Sequence, residues 1–147
     1  MSIDENKRLV RRYAQVWNPG NLGLLDELAA PDIVLSYPAL PEPVRGIEAL
    51  RQFLAAFHAA FPDGQYVVEE EVAEGDKVVL RWRITGTHRG ELLGIPPTGR
   101  PVAWGGIAIF TVANGRVVSE RGEEDALGLM QQLGLLPAEG QAPASVT

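Results

Sequence analysis

The second half of the chain alternates strand-like runs with short turn sequences, and this pattern constrains the fold more than any other feature. The runs cover Tyr66–Val72, Lys77–Thr87, Val102–Val112 and Arg116–Glu124. A Gly-Asp pair separates the first two runs and an Asn-Gly pair separates the last two, and such pairs are typical of tight hairpin turns. Consecutive hairpins predict an antiparallel sheet.

The first half of the chain instead predicts three helices, at residues 5–16, 22–29 and 47–60, in which apolar residues recur every three or four positions. A strand begins at Ile33, and a short last helix is expected at residues 126–133. Because helices come first and antiparallel strands later, the fold class is α+β. We expect a cone-shaped domain, in which a strongly curved, mostly antiparallel sheet wraps over about three N-terminal helices and encloses a pocket.

Composition limits the classes of partner. The 147 residues suffice for one domain, which we assign to residues 1–134, and the small, polar residues 135–147 predict a flexible tail. A net charge of −6 lacks the basic surface that nucleic acid requires. No apolar run approaches the roughly 20 residues of a membrane span, and no leader peptide is visible. The absence of cysteine fits a reducing cytoplasm, where we expect the protein to act.

Two segments carry a family resemblance. The stretch Thr85–Val102 joins two strand-like runs and contains the sequence Gly-Ile-Pro-Pro-Thr-Gly-Arg-Pro. It resembles the long connection between two strands in the SnoaL-like polyketide cyclases, which belong to the nuclear-transport-factor-2-like superfamily. The segment Gly122–Gly134 resembles the end of the family's last strand and the helix after it. The chain departs from the family at Leu35-Ser36-Tyr37 and at Glu120-Arg121, where relatives often have a histidine and a His-Trp pair.

The resemblance implies a function as well as a fold. SnoaL-like cyclases close a ring by an intramolecular aldol reaction in a hydrophobic carbonyl compound, with acid/base chemistry and without metal or cofactor. The superfamily also usually pairs two copies through the exposed face of the sheet. We therefore expect a cofactor-independent enzyme that forms a homodimer and binds a hydrophobic small molecule.

Asp125 stands where the last strand is predicted to end and a helix to begin. Aspartate is a favoured N-cap residue, so its carboxylate could simply bond the first turn of that helix. In the family, an aspartate at this point of the last strand can serve as the acid/base. An apolar cavity would raise its pKa toward the working pH. We expect Asp125 to be catalytic, with capping as the alternative.

Further candidates surround Asp125 in the expected cone. If no bulge intervenes, strand alternation places Arg121 and Glu123 on the same face as Asp125. There Arg121 could bind a substrate anion, although an exposed ion pair with Glu123 is the alternative. The other expected substrate contacts are Trp17, Tyr37, His88 and Trp104. Each has a plainer alternative, which is core packing for the tryptophans and a place at the sheet edge or rim for the other two.

Other functions remain open at this point. Two histidines without i,i+4 spacing do not predict a zinc site, and no phosphate-binding glycine motif is present. A limonene-epoxide-hydrolase-like enzyme needs an Asp-Arg-Asp relay, and Arg81-Trp82-Arg83 lacks one acid of that relay. A ketosteroid-isomerase-like proton shuttle is a further alternative. A non-catalytic binding or dimerisation module would use the same cone, with Asp125 acting only as a helix cap.

Overall fold

The structure, a computed structural model, describes residues 2–137 as a six-stranded sheet with four α-helices. The helices are α1 (Ile3–Tyr13), α2 (Leu24–Leu28), α3 (Ile47–Ala60) and α4 (Ala126–Gln132). The strands are β1 (Ala29–Ser36), β2 (Val44–Arg45), β3 (Gln65–Glu74), β4 (Lys77–Thr87), β5 (Pro101–Ala113) and β6 (Arg116–Glu124). A 3-10 turn, Ala14–Trp17, extends α1. Residues 138–147, most of the predicted tail, lie outside the described residues.

The sheet has the order β2-β1-β6-β5-β4-β3, with β2 and β3 at its two edges. Strands β3 to β6 form consecutive antiparallel hairpins, as the turn sequences predict. The pair β1 and β6 is parallel, so the sheet is mixed rather than purely antiparallel. The α+β class and the hairpins are confirmed, and the open edges show that the sheet does not close on itself.

The helices cover the apolar face of this sheet. In α1 the buried residues include Val10 and Tyr13, one turn apart, and α1 contacts strands β3 to β6. In α3 the buried residues include Leu50, Leu54 and Phe57, and α3 contacts β1 and β2. This spacing of three and four residues aligns each set on one side of its helix. The main core therefore lies between the sheet and the helices.

Strand β4 shows the alternation that fixes its inner face. Val78, Leu80 and Trp82 are almost fully buried, whereas Arg81 and Arg83 between and after them are exposed. Because successive side chains of a strand point to opposite faces, the buried set faces the helices and the arginines face outward. Within residues 2–137, no helix is both long and apolar enough to span a membrane.

Strand β6 contains a β-bulge that changes its alternation. Thr111 of β5 pairs with Ser119, but the next residue, Val112, pairs with Val117. Val118 is therefore an extra residue without its own partner, as in a β-bulge. Val117 faces the helices. Because of the extra residue, the even-numbered residues that follow in β6 face the helices, whereas uninterrupted alternation would place the odd-numbered ones there.

Gly106 gives a stability test of the contact between β5 and its neighbours. A Cβ atom added there would lie 2.5 Å from the Glu123 carbonyl oxygen and 2.5 Å from the Trp82 ring. We expect Gly106→Ala to lower the free energy of unfolding by about 1–3 kcal/mol, the usual cost of overpacking, as measured by urea denaturation. Gly23→Ala is the matched control, because nothing lies within 4 Å of its added Cβ. Equal stability of the two variants would contradict this packing.

Candidate active site

A cavity of about 70 Å³ lies between the sheet, α3 and α4. Its wall combines side chains of the inner sheet face, such as Trp82, with side chains of the helices, such as Leu129. Seven aromatic residues line it: Trp17, Tyr37, Phe53, Phe57, Tyr66, Trp82 and Trp104. Such a mainly apolar cleft with a few polar groups is typical of a small-molecule site.

Glu124 is the one carboxylate among the described residues that line the cavity. The indole Nε1 of Trp104 donates a hydrogen bond to Glu124 Oε2 at 3.1 Å. Burial raises the pKa of Glu124, and this hydrogen bond opposes the rise because it favours the charged form. Glu124 is thus a half-buried carboxyl group whose proton is held more tightly than in an ordinary glutamate.

Glu120 is a second carboxyl group, fully buried behind the cavity wall. The Tyr37 hydroxyl donates to its Oε2 at 2.5 Å, and Trp17 Nε1 donates to its Oε1 at 3.4 Å. Burial raises the pKa of Glu120 to about 7, although the two hydrogen bonds act in the opposite direction. Because Tyr37 and Trp17 themselves line the cavity, they connect Glu120 to it.

The Tyr37 ring is positioned by a glycine. A Cβ atom at Gly122 would lie 2.1 Å from Tyr37 Cε1 and 2.7 Å from its hydroxyl oxygen. Such distances exclude any larger residue at position 122 unless the ring moves. Gly122 therefore allows Tyr37 to lie against β6 and reach Glu120.

Two further polar groups of the wall have no partner. Tyr66 Oη and Trp82 Nε1 are buried and make no hydrogen bond within the described part of the chain. Both side chains line the cavity. An unpaired buried donor is costly, so both groups lower the stability of the folded state.

The bulge at Val118 explains the placement of the acidic residues. It turns Glu120, Gly122 and Glu124 toward the cavity side, whereas Arg121 and Glu123 are exposed on the opposite face. The expectation that Arg121 and Glu123 share the cavity is therefore corrected, because uninterrupted alternation does not hold in β6.

Asp125 caps α4. Its Oδ1 accepts a hydrogen bond from the Gly128 backbone N–H at 2.9 Å, the contact of an aspartate N-cap. The residue is exposed and is not among those that line the cavity, although Ala126 beside it is. The geometry is that of the capping alternative, and a catalytic role of Asp125 stays a prediction.

The other expected contacts divide between wall and core. Trp17, Tyr37 and Trp104 line the cavity. His88 is fully buried and does not line it: the Thr98 backbone N–H donates to its Nδ1 at 3.2 Å, and its ring lies 5.7 Å from that of Phe61. Among residues 2–137, no group of three or more histidine, aspartate and glutamate side chains could hold a metal ion.

The fold and this cavity define a class of α+β proteins with a small-molecule site between an open sheet and its helices. The family model of the SnoaL-like polyketide cyclases matches residues 7–133. The chain belongs to the SnoaL-like polyketide cyclase family.

Individual relatives agree with this assignment. Aklanonic acid methyl ester cyclase of Streptomyces peucetius is 32% identical over 130 residues, which are 86% of this chain and 88% of that protein. Nogalonic acid methyl ester cyclase of Streptomyces nogalater is 27% identical over 120 residues, 80% of this chain and 89% of that protein. The crystal structure of a SnoaL-like protein from Jannaschia sp. CCS1 superimposes with a TM-score of 0.83 at 30% identity, covering 93% of this chain and 97% of the other.

The raised pKa of Glu120 predicts a pH-dependent stability. The folded protein holds this proton up to about pH 7, whereas the unfolded chain releases it near the ordinary value of 4.5. Stability therefore falls as the pH rises from 4.5 to about 7, and it is level above that range. We expect wild type to lose about 3 kcal/mol relative to Glu120→Gln across this window, measured by urea unfolding at each pH. A constant difference between the two proteins would contradict the shift.

Proposed function

We propose that this protein closes a ring in a hydrophobic carbonyl compound by an intramolecular aldol reaction, with Glu124 as the acid/base group. The supporting observation is that Glu124 is the carboxylate in the wall of an otherwise aromatic and aliphatic cavity. Desolvation raises its pKa, which brings a carboxylate closer to the basicity that proton removal from carbon requires. The family membership and the cyclases among its relatives support the reaction class.

The proposed reaction conserves every atom of the substrate. The Glu124 carboxylate removes a proton from a carbon next to one carbonyl group, which leaves an enolate. That carbon then attacks a second carbonyl carbon of the same molecule, so one carbon–carbon bond forms and the second carbonyl becomes an alkoxide. The alkoxide takes the proton back from the Glu124 carboxylic acid, and the product is an isomer of the substrate.

A hydrogen-bond donor in the wall would stabilise the negative enolate and alkoxide oxygens, because fixed donors in a dry site stabilise such charge strongly. Tyr37 is the donor that we propose, since its side chain lines the cavity and Glu120 lies behind it. When Glu120 is protonated, its carboxylic acid can donate to Tyr37, which frees the Tyr37 hydroxyl proton for the substrate.

The substrate class follows from the wall and the relatives together. Seven aromatic side chains favour a flat, hydrophobic molecule, because such rings bury large area and stack on one another. The two similar enzymes act on methyl esters of aklanonic and nogalonic acid. We propose a polyketide-derived ester of comparable shape for this protein, with no metal or cofactor in the reaction.

Replacement of the acid/base group provides the test of this proposal. Glu124→Gln keeps the side-chain shape but cannot exchange a proton, so we expect turnover to fall by about 100-fold or more. The assay measures ring closure of polyketone methyl esters by chromatography. Glu123→Gln is the matched control, since Glu123 is exposed on the other face and its variant should retain full activity. Melting temperatures show that each variant is folded.

Asp125→Asn decides between the two assignments of the acid/base. Asparagine is also a good N-cap residue, so α4 should remain intact. We expect this variant to remain active. Loss of activity in Asp125→Asn, with activity kept in Glu124→Gln, would transfer the catalytic role to Asp125. Turnover of epoxides or ketosteroids would favour the hydrolase-like or isomerase-like alternative, and no turnover of any of these substrates would favour a binding module.

We further propose that two copies pair through the outer face of the sheet. Val67 and Val72 on β3 and Ile107 on β5 are each more than half exposed, and β4 lies between these two strands. Pairing through this face is what the superfamily resemblance implies.

The proposed homodimer predicts the mass of the protein in solution. We expect sedimentation at micromolar concentration to give a species of twice the 15.9 kDa chain mass. Ile107→Arg should shift it to the monomer, because a buried unpaired charge is costly at an interface. Arg83→Lys, which keeps the charge of an exposed residue, is the control. A wild-type protein found only at 15.9 kDa would contradict the homodimer.

A further inference from the structure

The only formal charge that the described cavity wall can carry near neutral pH is negative. Among the described residues that line it, Glu124 is ionisable as an acid, and none is lysine, arginine or histidine. The second acid, Glu120, lies directly behind Tyr37 and Trp17 of the same wall. The protein as a whole also carries a net charge of −6. A low-dielectric cleft concentrates the field of an ionised carboxylate, so the cavity favours a cation when Glu124 is ionised.

The aromatic rings act in the same direction. The face of an indole, phenol or phenyl ring carries partial negative charge and attracts a cation within about 6 Å of its centre. Seven aromatic residues line the cavity. Aromatic side chains that surround a ligand are how proteins bind methylated ammonium groups.

We infer that the cavity binds a compact organic cation, a quaternary ammonium or protonated tertiary amine attached to an apolar body, with its charge beside Glu124. Trp104 occupies Oε2 of Glu124, and Oε1 has no hydrogen-bond partner in residues 2–137. A methylated ammonium group needs no hydrogen bond, only a nearby negative charge and aromatic faces. The apolar remainder of the ligand packs against the aliphatic side of the wall, which includes Leu129 and Met130.

This inference goes beyond the cyclase proposal and does not depend on it. A neutral carbonyl substrate uses the wall's hydrogen-bond donors and its apolar area, whereas the cation uses the ring faces and the charge of Glu124. A binding measurement therefore tests the cation site even if ring closure is never observed, and the converse also holds. Amines of this class are then expected to compete with a neutral substrate for the same space.

Two probes of equal shape isolate the effect of charge. The first is phenyltrimethylammonium, and the second is tert-butylbenzene, in which carbon replaces the charged nitrogen. Binding is followed by the fluorescence of the cavity tryptophans and by calorimetry, at mildly alkaline pH, which favours the ionised form of the Glu124 carboxyl. We expect the ammonium probe to bind about tenfold more tightly or better, since a desolvated cation–π site reaches this size of effect.

Matched variants locate the charge that causes the preference. Glu124→Gln should lower the ratio of the two affinities severalfold, while Glu123→Gln on the outer face should leave it unchanged. Melting temperatures confirm that both variants are folded. Equal or tighter binding of the tert-butyl probe to wild type would overturn the inference, and so would a ratio that Glu124→Gln does not alter.

Discussion

A single extra residue in β6 determines which side chains of the last strand reach the interior. Val118 has no partner in β5, so the residues after it face the opposite side of the sheet from the side that regular alternation from Val117 predicts. The consequence is that Glu120, Gly122 and Glu124 face the helices while Arg121 and Glu123 face outward. Without the bulge, uninterrupted alternation would place Arg121 and Glu123 on that face instead, and the charge and chemistry of the cavity would be different.

The second constraint is the cost of placing two carboxyl groups in an apolar interior. Glu120 is accommodated by donors from Tyr37 and Trp17, and Glu124 by the indole of Trp104. Each donor also forms part of the cavity wall, so the residues that hold the acids in place are the ones that a ligand touches. Ligand binding and the ionisation of both acids are therefore physically linked.

The two departures from the family pattern meet in this arrangement. Tyr37 belongs to the segment Leu35-Ser36-Tyr37 and Glu120 to the pair Glu120-Arg121, and here Tyr37 donates a hydrogen bond to Glu120. Gly122 completes the pair, because only a residue without Cβ leaves room for the Tyr37 ring.

Local pattern predicted the fold well and the site only in part. Helix α3 runs from Ile47 to Ala60 as its apolar spacing predicts, and the hairpin turns set the order of β3 to β6, because these signals lie within a few neighbouring residues. Three of the expected contacts, Trp17, Tyr37 and Trp104, line the cavity. Glu120 and Glu124 could not be chosen over Arg121 and Glu123, since a bulge depends on pairing between strands and leaves no local signature at Val118.

The most direct test of this account is the ionisation of the two cavity acids in the free protein. Carbon-detected NMR of glutamate side-chain carboxyls, assigned with Glu120→Gln and Glu124→Gln, follows each group through a pH titration. The account predicts that both titrate above the ordinary value of 4.5, with Glu120 near 7. Titration of both groups in the ordinary glutamate range would show that neither is desolvated, and it would contradict the central role given to this cavity.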